Sequence, residues 1–105
     1  MKILHLTLKK KWFDLIASGK KTKEYRARKP YWEKRLLDKK GFAIEFDEVH
    51  FRNGYGNKVP FMRVEWKHLC TLFSPYPDPQ YGEQDEVYNN GDFVIFLGRV
   101  LEVKA

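Results

Sequence analysis

A chain of 105 residues has the length of one domain, and with 43% hydrophobic and 16% aromatic residues it can fold without a metal or a disulfide staple. Its single cysteine, Cys70, excludes an intramolecular disulfide and fits a reducing compartment, while no apolar run approaches the roughly 18 residues that span a bilayer, so a cytoplasmic location and no membrane contact are expected. The net charge of +6 is unevenly placed: residues 1–40 hold 14 Lys and Arg against 4 Asp and Glu, and residues 41–105 hold 6 against 10, which predicts a cationic face suited to a polyanion, with a merely solvated lysine surface as the plainer alternative.

Taken in chain order, Ile3 to Leu8 alternates apolar residues with His5 and Thr7 and predicts a strand. Lys9 to Ser18 places Trp12, Leu15 and Ile16 at helical spacing, with the lysines toward water. Gly19 follows as a left-handed C-cap. Thr22 to Ala27 predicts a second strand. Pro30 then opens a second helix over Tyr31 to Lys39, which Gly41 ends. From Phe42 the pattern turns to β. Phe42 to Arg52 predicts a strand with Ile44 and Phe46 inward and a bulge near Asp47 and Glu48 to bring Val49 and Phe51 into phase. Asn53 to Asn57 is a turn signal. Pro60 to Phe73 alternates Met62, Val64 and Trp66 against Phe61, Arg63, Glu65 and Lys67. Ser74 to Gly91 is rich in Pro, Asn and acids and holds no Lys or Arg, so a surface loop is expected there, either a lid or solvated. Asp92 to Lys104 closes the chain as a strand or strand pair bent at Gly98. Five or six strands with two early helices predict an α+β domain built on a small curved sheet or barrel, closed in part by its first and last strands.

The chemistry concentrates between the first helix and the second strand. A strand starting near Thr22 puts Thr22, Glu24 and Arg26 on one face, with neighbours on that face about 7 Å apart. A carboxylate and a guanidinium so placed can hold one small ligand or pair with each other. Lys21, at the helix–strand hinge, leans over the same site as a base or nucleophile. Glu24 can serve as a general base or accept from a nucleobase edge. Arg28 and Lys29 are expected to touch phosphate, Trp32 to belong to the core, and Tyr55 either to stack on a base or to sit in a hairpin. His50, His68 and Cys70 make a poor zinc set, so no metal and no cofactor are expected, and Cys70 is expected to be a small buried hydrophobe.

Gly19, Lys21, Glu24 and Arg26 also reproduce a G-x-K-x-x-E-x-R signature, and the chain thereby resembles the ASCH family, a branch of the PUA-like β-barrels. The order of elements agrees. The stretches His50 to Tyr55 and Val94 to Gly98 look like those of the small bacterial and phage ASCH proteins, so the likeness covers nearly the whole chain. It implies a single PUA-like domain over residues 1–105, a cleft between the first helix and the barrel, and RNA or a nucleotide as partner. It also implies two alternatives, a ribonuclease or an amidohydrolase of N4-acylated cytidine; a non-catalytic protein-interaction module is a further one. Of the lysine, threonine and glutamate implicated in those amidohydrolases, Lys21 matches the lysine. Glu24 stands at the threonine position, and Glu65, Glu83 and Glu86 are candidates for the third.

Overall fold

A computed structural model describes residues 1–71 and 91–104. The elements run β1 (Ile3–Thr7), α1 (Lys10–Ala17), β2 (Lys23–Arg26), α2 (Pro30–Leu36), β3 (Glu48–Arg52), β4 (Phe61–Thr71) and β5 (Phe93–Lys104). The five strands form one curled sheet in the order β1-β3-β4-β5-β2. The α+β reading with two early helices holds. Closure by the first and last strands does not: β1 runs parallel to β3, whereas β5 lies between β4 and β2. The half-barrel therefore has two edges, β1 and β2, drawn toward each other by the Arg26 Nη2 to Thr7 carbonyl contact at 3.4 Å.

One face of every strand feeds the core. Leu4 and Leu6, Val49 and Phe51, Met62 and Val64, and Phe93 and Ile95 are all buried, with Trp12, Phe13 and Ile16 of α1 and Leu36 of α2 packed onto them. Each such side chain contributes roughly 1.5–3 kcal/mol by leaving water. The first helix forms because its apolar residues recur at helical spacing, and it stops at a glycine in the left-handed region (Gly19 φ +82°). The turn bonds Ser18 N–H to Asp14 O and Gly19 N–H to Ile16 O, then returns Lys21 N–H to Leu15 O. That last bond drops Lys21 beneath the helix rather than beside it.

Several boundaries move for local reasons. The second helix ends at Leu36, short of the expected Lys39, because Asp38 Oδ1 accepts from the N–H groups of Lys40 and Phe42 and folds the chain into a turn. Residues 42–47 are not strand. With β3 starting at Glu48, Val49 and Phe51 are in phase without the expected bulge near Asp47. The bulges lie between β4 and β5, where Gly98 and Arg99 oppose Glu65, and Lys67 is an extra residue between the Trp66–Leu97 and His68–Phe96 pairs. β5 is accordingly one continuous strand. The Lys67 irregularity flips the alternation of β4, so Trp66 is buried while His68 and Cys70 face out. Cys70 is thus exposed, not the buried hydrophobe expected. The acidic loop expected over 74–91, with Glu83 and Glu86, lies outside the described residues apart from Gly91. No helix among the described residues is long and apolar enough to cross a membrane.

Candidate functional site

The two sheet edges do not zip together, and a cavity of about 490 Å³ opens along their seam. His5 to Lys9 form one wall and Glu24 to Ala27 the opposite one; Trp12 from α1 and Tyr31 and Trp32 from α2 close the ends, with Tyr55 of the β3–β4 loop at the rim. A volume of this size suits a small planar ligand. Four aromatic rings besides Tyr25 border it.

At its centre is Glu24, only 5% exposed. Its Oε1 accepts from the Tyr25 backbone N–H at 2.9 Å, is 3.2 Å from Arg26 Nη1 and 4.0 Å from Lys21 Nζ. Its Oε2 is buried and has no hydrogen-bond partner among the described residues, a state it shares there only with the Trp66 indole N–H. Glu24 is also the one carboxylate on the cavity wall among the described residues. A buried carboxylate oxygen without a donor is costly.

Lys21 supports this group from behind. Its Nζ lies 4.9 Å from the centre of the Trp12 ring and 5.2 Å from that of Tyr25, an aromatic cage that suits an ammonium. It is 2% exposed and does not line the cavity. Arg26 spans the seam. Nη1 donates to the Tyr25 carbonyl at 2.8 Å, Nη2 reaches Thr7 O, and the guanidinium lies 5.2 Å from the Trp32 ring centre.

Of the residues singled out from sequence, Glu24, Arg26 and Tyr55 reach the cavity and Lys21 stands behind it. Gly19 makes the turn that places Lys21. Thr22 precedes the strand and is exposed, its carbonyl accepting from Leu97 N–H. Arg28 turns to the other side, donating to the Gly91 carbonyl at 2.7 Å and lying over the Phe93 ring at 4.4 Å. Glu65 does not line the cavity: its Oε1 accepts from Arg99 N–H and Nε, which holds its carboxyl below the ordinary range. The expected zinc candidates are dispersed, with His50 on Glu48 and His68 stacked on Phe96 at 4.4 Å. The β1 wall, with His5, Thr7 and Lys9, and the use of Trp12 and Trp32 as walls were not anticipated. The polar outward positions of the first strand, His5 and Thr7, are the sequence signal for that strand's part of the wall.

Burial pushes the His5 imidazole below its ordinary range, and His50, Arg52 and Arg35 push in the same direction. The ring meets that of His50 edge-on at 5.4 Å. His50 Nε2 and Arg63 Nη1 both hold the Glu48 carboxylate at 2.9 Å, and Arg63 Nε reaches Glu102 at 2.9 Å. This charged row crosses β3, β4 and β5, and its His50 meets His5 of the cavity wall.

Comparison with protein-family models, curated proteins and solved structures finds no match for this chain. Fold and site together define a small α+β half-barrel with an aromatic-walled, carboxylate-centred cleft at its open seam.

Proposed function

We propose that the seam cleft binds RNA or a nucleotide-like ligand through one base, as an ASCH-type, PUA-like domain would. The observation that carries this is Glu24 Oε2, a buried acceptor with no donor among the described residues, set in a cavity of about 490 Å³ walled by Trp12, Trp32, Tyr31 and Tyr55. Nucleobases offer both a π-face for the rings and ring or exocyclic N–H groups for the carboxylate. Lys21 and Arg26 both lie within 4.0 Å of the Glu24 Oε1 and are buried or nearly so. The cationic N-terminal third supplies long-range attraction for a phosphate chain.

The test is a melting-temperature screen of ribonucleosides, modified nucleosides and short single-stranded RNAs. Any ligand bound only by the folded state raises the midpoint. The expected outcome is stabilisation by at least one base-bearing ligand, diminished in Trp32→Ala. Ligands that leave the midpoint unmoved at millimolar concentration would sink the reading.

A second reading is hydrolysis of an acylated nucleobase, favoured by the pairing of Lys21 with Glu24, a carboxylate on the cavity wall. Glu24 would act there as general base toward water, with Lys21 and Arg26 tuning it. Release of free cytidine from N4-acetylcytidine, abolished in Glu24→Gln and in Lys21→Met, is its expected signature; turnover by neither the native protein nor any variant would discard it.

A further inference from the structure

We propose that the rim of the cleft where β1 and β3 meet α2 is a phosphate subsite made by Arg35, Arg52 and His5, so that the preferred ligand is a nucleotide rather than a bare nucleoside. This rests on the reading of the cleft as a base site and deepens it. The primary observation is a census of the six arginines. Arg26, Arg28, Arg63 and Arg99 each have a carboxylate within 3.5 Å. Arg35 and Arg52 have none among the described residues; each is held only over aromatic rings, Arg35 at 5.3 Å from the Tyr31 centre and Arg52 at 4.8 Å from that of Phe61. Rings fix a guanidinium's position without neutralising it, and they leave its donor edge for an anion.

These two arginines belong to one place. Arg52 is the cross-strand partner of Thr7, and His5 and Thr7 both line the cavity. Arg35 lies over the rings of Tyr31 and Trp32, which also line the cavity, so each guanidinium adjoins a residue of the cavity wall. Among the described residues, the charges that act on His5 are His50 and Arg52 from β3 and Arg35 from α2; the carboxylate that holds His50, Glu48, is also engaged by Arg63. Among the described residues neither guanidinium of this rim has a carboxylate partner, and the same cavity holds Glu24. A phosphate there would take donors from both guanidinium groups and favour protonation of His5, so binding would take up a proton and tighten as pH falls.

The test is isothermal titration of the protein with the four ribonucleosides, their 5′- and 3′-monophosphates, inorganic phosphate and a triribonucleotide, repeated with Arg35→Gln, Arg52→Gln and the double variant. Two charge-assisted contacts at a partly solvated rim are expected to make one monophosphate isomer at least about tenfold tighter than its nucleoside. The double variant is expected to erase that gain while leaving nucleoside affinity unchanged. Proton NMR of the His5 ring is expected to show its titration moving to higher pH when phosphate is bound. A gain shared by the trinucleotide assigns the phosphate to an RNA chain; a gain confined to the mononucleotide assigns it to a free nucleotide. Inorganic phosphate that binds at Arg35 and Arg52 while no nucleoside binds supports the subsite and removes the base reading. Equal affinity for nucleoside and monophosphate, or a gain that survives the double variant, overturns the proposal.

Discussion

Replacing Glu24 with glutamine isolates the charge at the centre of the cleft. Gln keeps the volume and an acceptor for the Tyr25 N–H, but it removes the negative charge that faces Lys21 at 4.0 Å and Arg26 at 3.2 Å. Removing one partner of a buried pair costs about 3–5 kcal/mol, since the remaining charge stays in a poor solvent. Two features bring the expected value to the bottom of that range or just below it: the Arg26 side chain is 16% exposed, and Lys21 keeps its contacts with Trp12 and Tyr25. The expected loss is about 2–3 kcal/mol, a fall in melting temperature of roughly 10–20 °C for a domain of this size. Differential scanning calorimetry reads it directly, with Asp14→Asn as the comparison. The Lys10–Asp14 pair is shorter, 2.6 Å, but sits on the helix surface and is worth only about 0.3–0.5 kcal/mol. Burial, not distance, should decide the order. If Glu24→Gln melts with Asp14→Asn, the carboxylate does not hold this cluster and the account of the site's electrostatics is wrong.

Other outcomes follow from the same geometry. Gly98→Ala would put a Cβ 2.9 Å from Glu65 Cβ and is expected to cost about 1–3 kcal/mol, whereas Gly19→Ala meets nothing within 4 Å and bears only the strain of its positive φ, about 1 kcal/mol; calorimetry that ranks them the other way contradicts the β4–β5 bulge described here. Glu48 and Glu102 are held below the ordinary carboxylate 4.5, Glu48 first by hydrogen bonding with His50 and then Arg63, Glu102 first by hydrogen bonding with Arg63. Because the folded values are depressed, the unfolded chain binds more protons. Their stabilisation is present above 4.5 and lost as pH falls through the folded values, so urea midpoints should drop on acidification and drop less in Glu48→Gln. An unchanged acid limb in that variant would show the row to be idle. Trp32→Ala is expected to weaken any base-bearing ligand by about 1–3 kcal/mol in a fluorescence titration, while Phe96→Ala, on the outer row with His68, should leave affinity unaltered.

Much of the sheet was legible because period-2 patterns are local. Met62, Val64 and Trp66 alternate as their sequence predicts, and Gly19 takes the positive φ that its place after the helix requires. The pairing of Glu24 with Arg26 was legible for the same reason, since residues two apart on a strand share a face. What escaped depends on contacts between distant segments. The β1 wall joins the cleft only because β1 and β2 are the two edges of a curled sheet, a fact of strand order and not of any window. Trp32 reads as core in sequence, since a tryptophan is usually buried; in the structure it packs against the core and also lines the cavity, and only the strand order shows the second role. Arg28 reads as a phosphate contact from composition, yet Gly91 and Phe93 claim it across a long separation. Cys70 was misplaced by one bulge, which no periodicity announces.

The claim on which the rest depends is that a base enters the seam and meets Glu24. Backbone and indole amide NMR of the native protein, titrated with the ligand that most raises its melting temperature, tests this most directly. The expected shifts fall on the Trp12 and Trp32 indoles and on the amides of His5 to Lys9 and Glu24 to Ala27, the two lips of the cavity. Shifts confined to Lys67–Cys70 and the outer face of β5, with the seam residues unmoved, would contradict it.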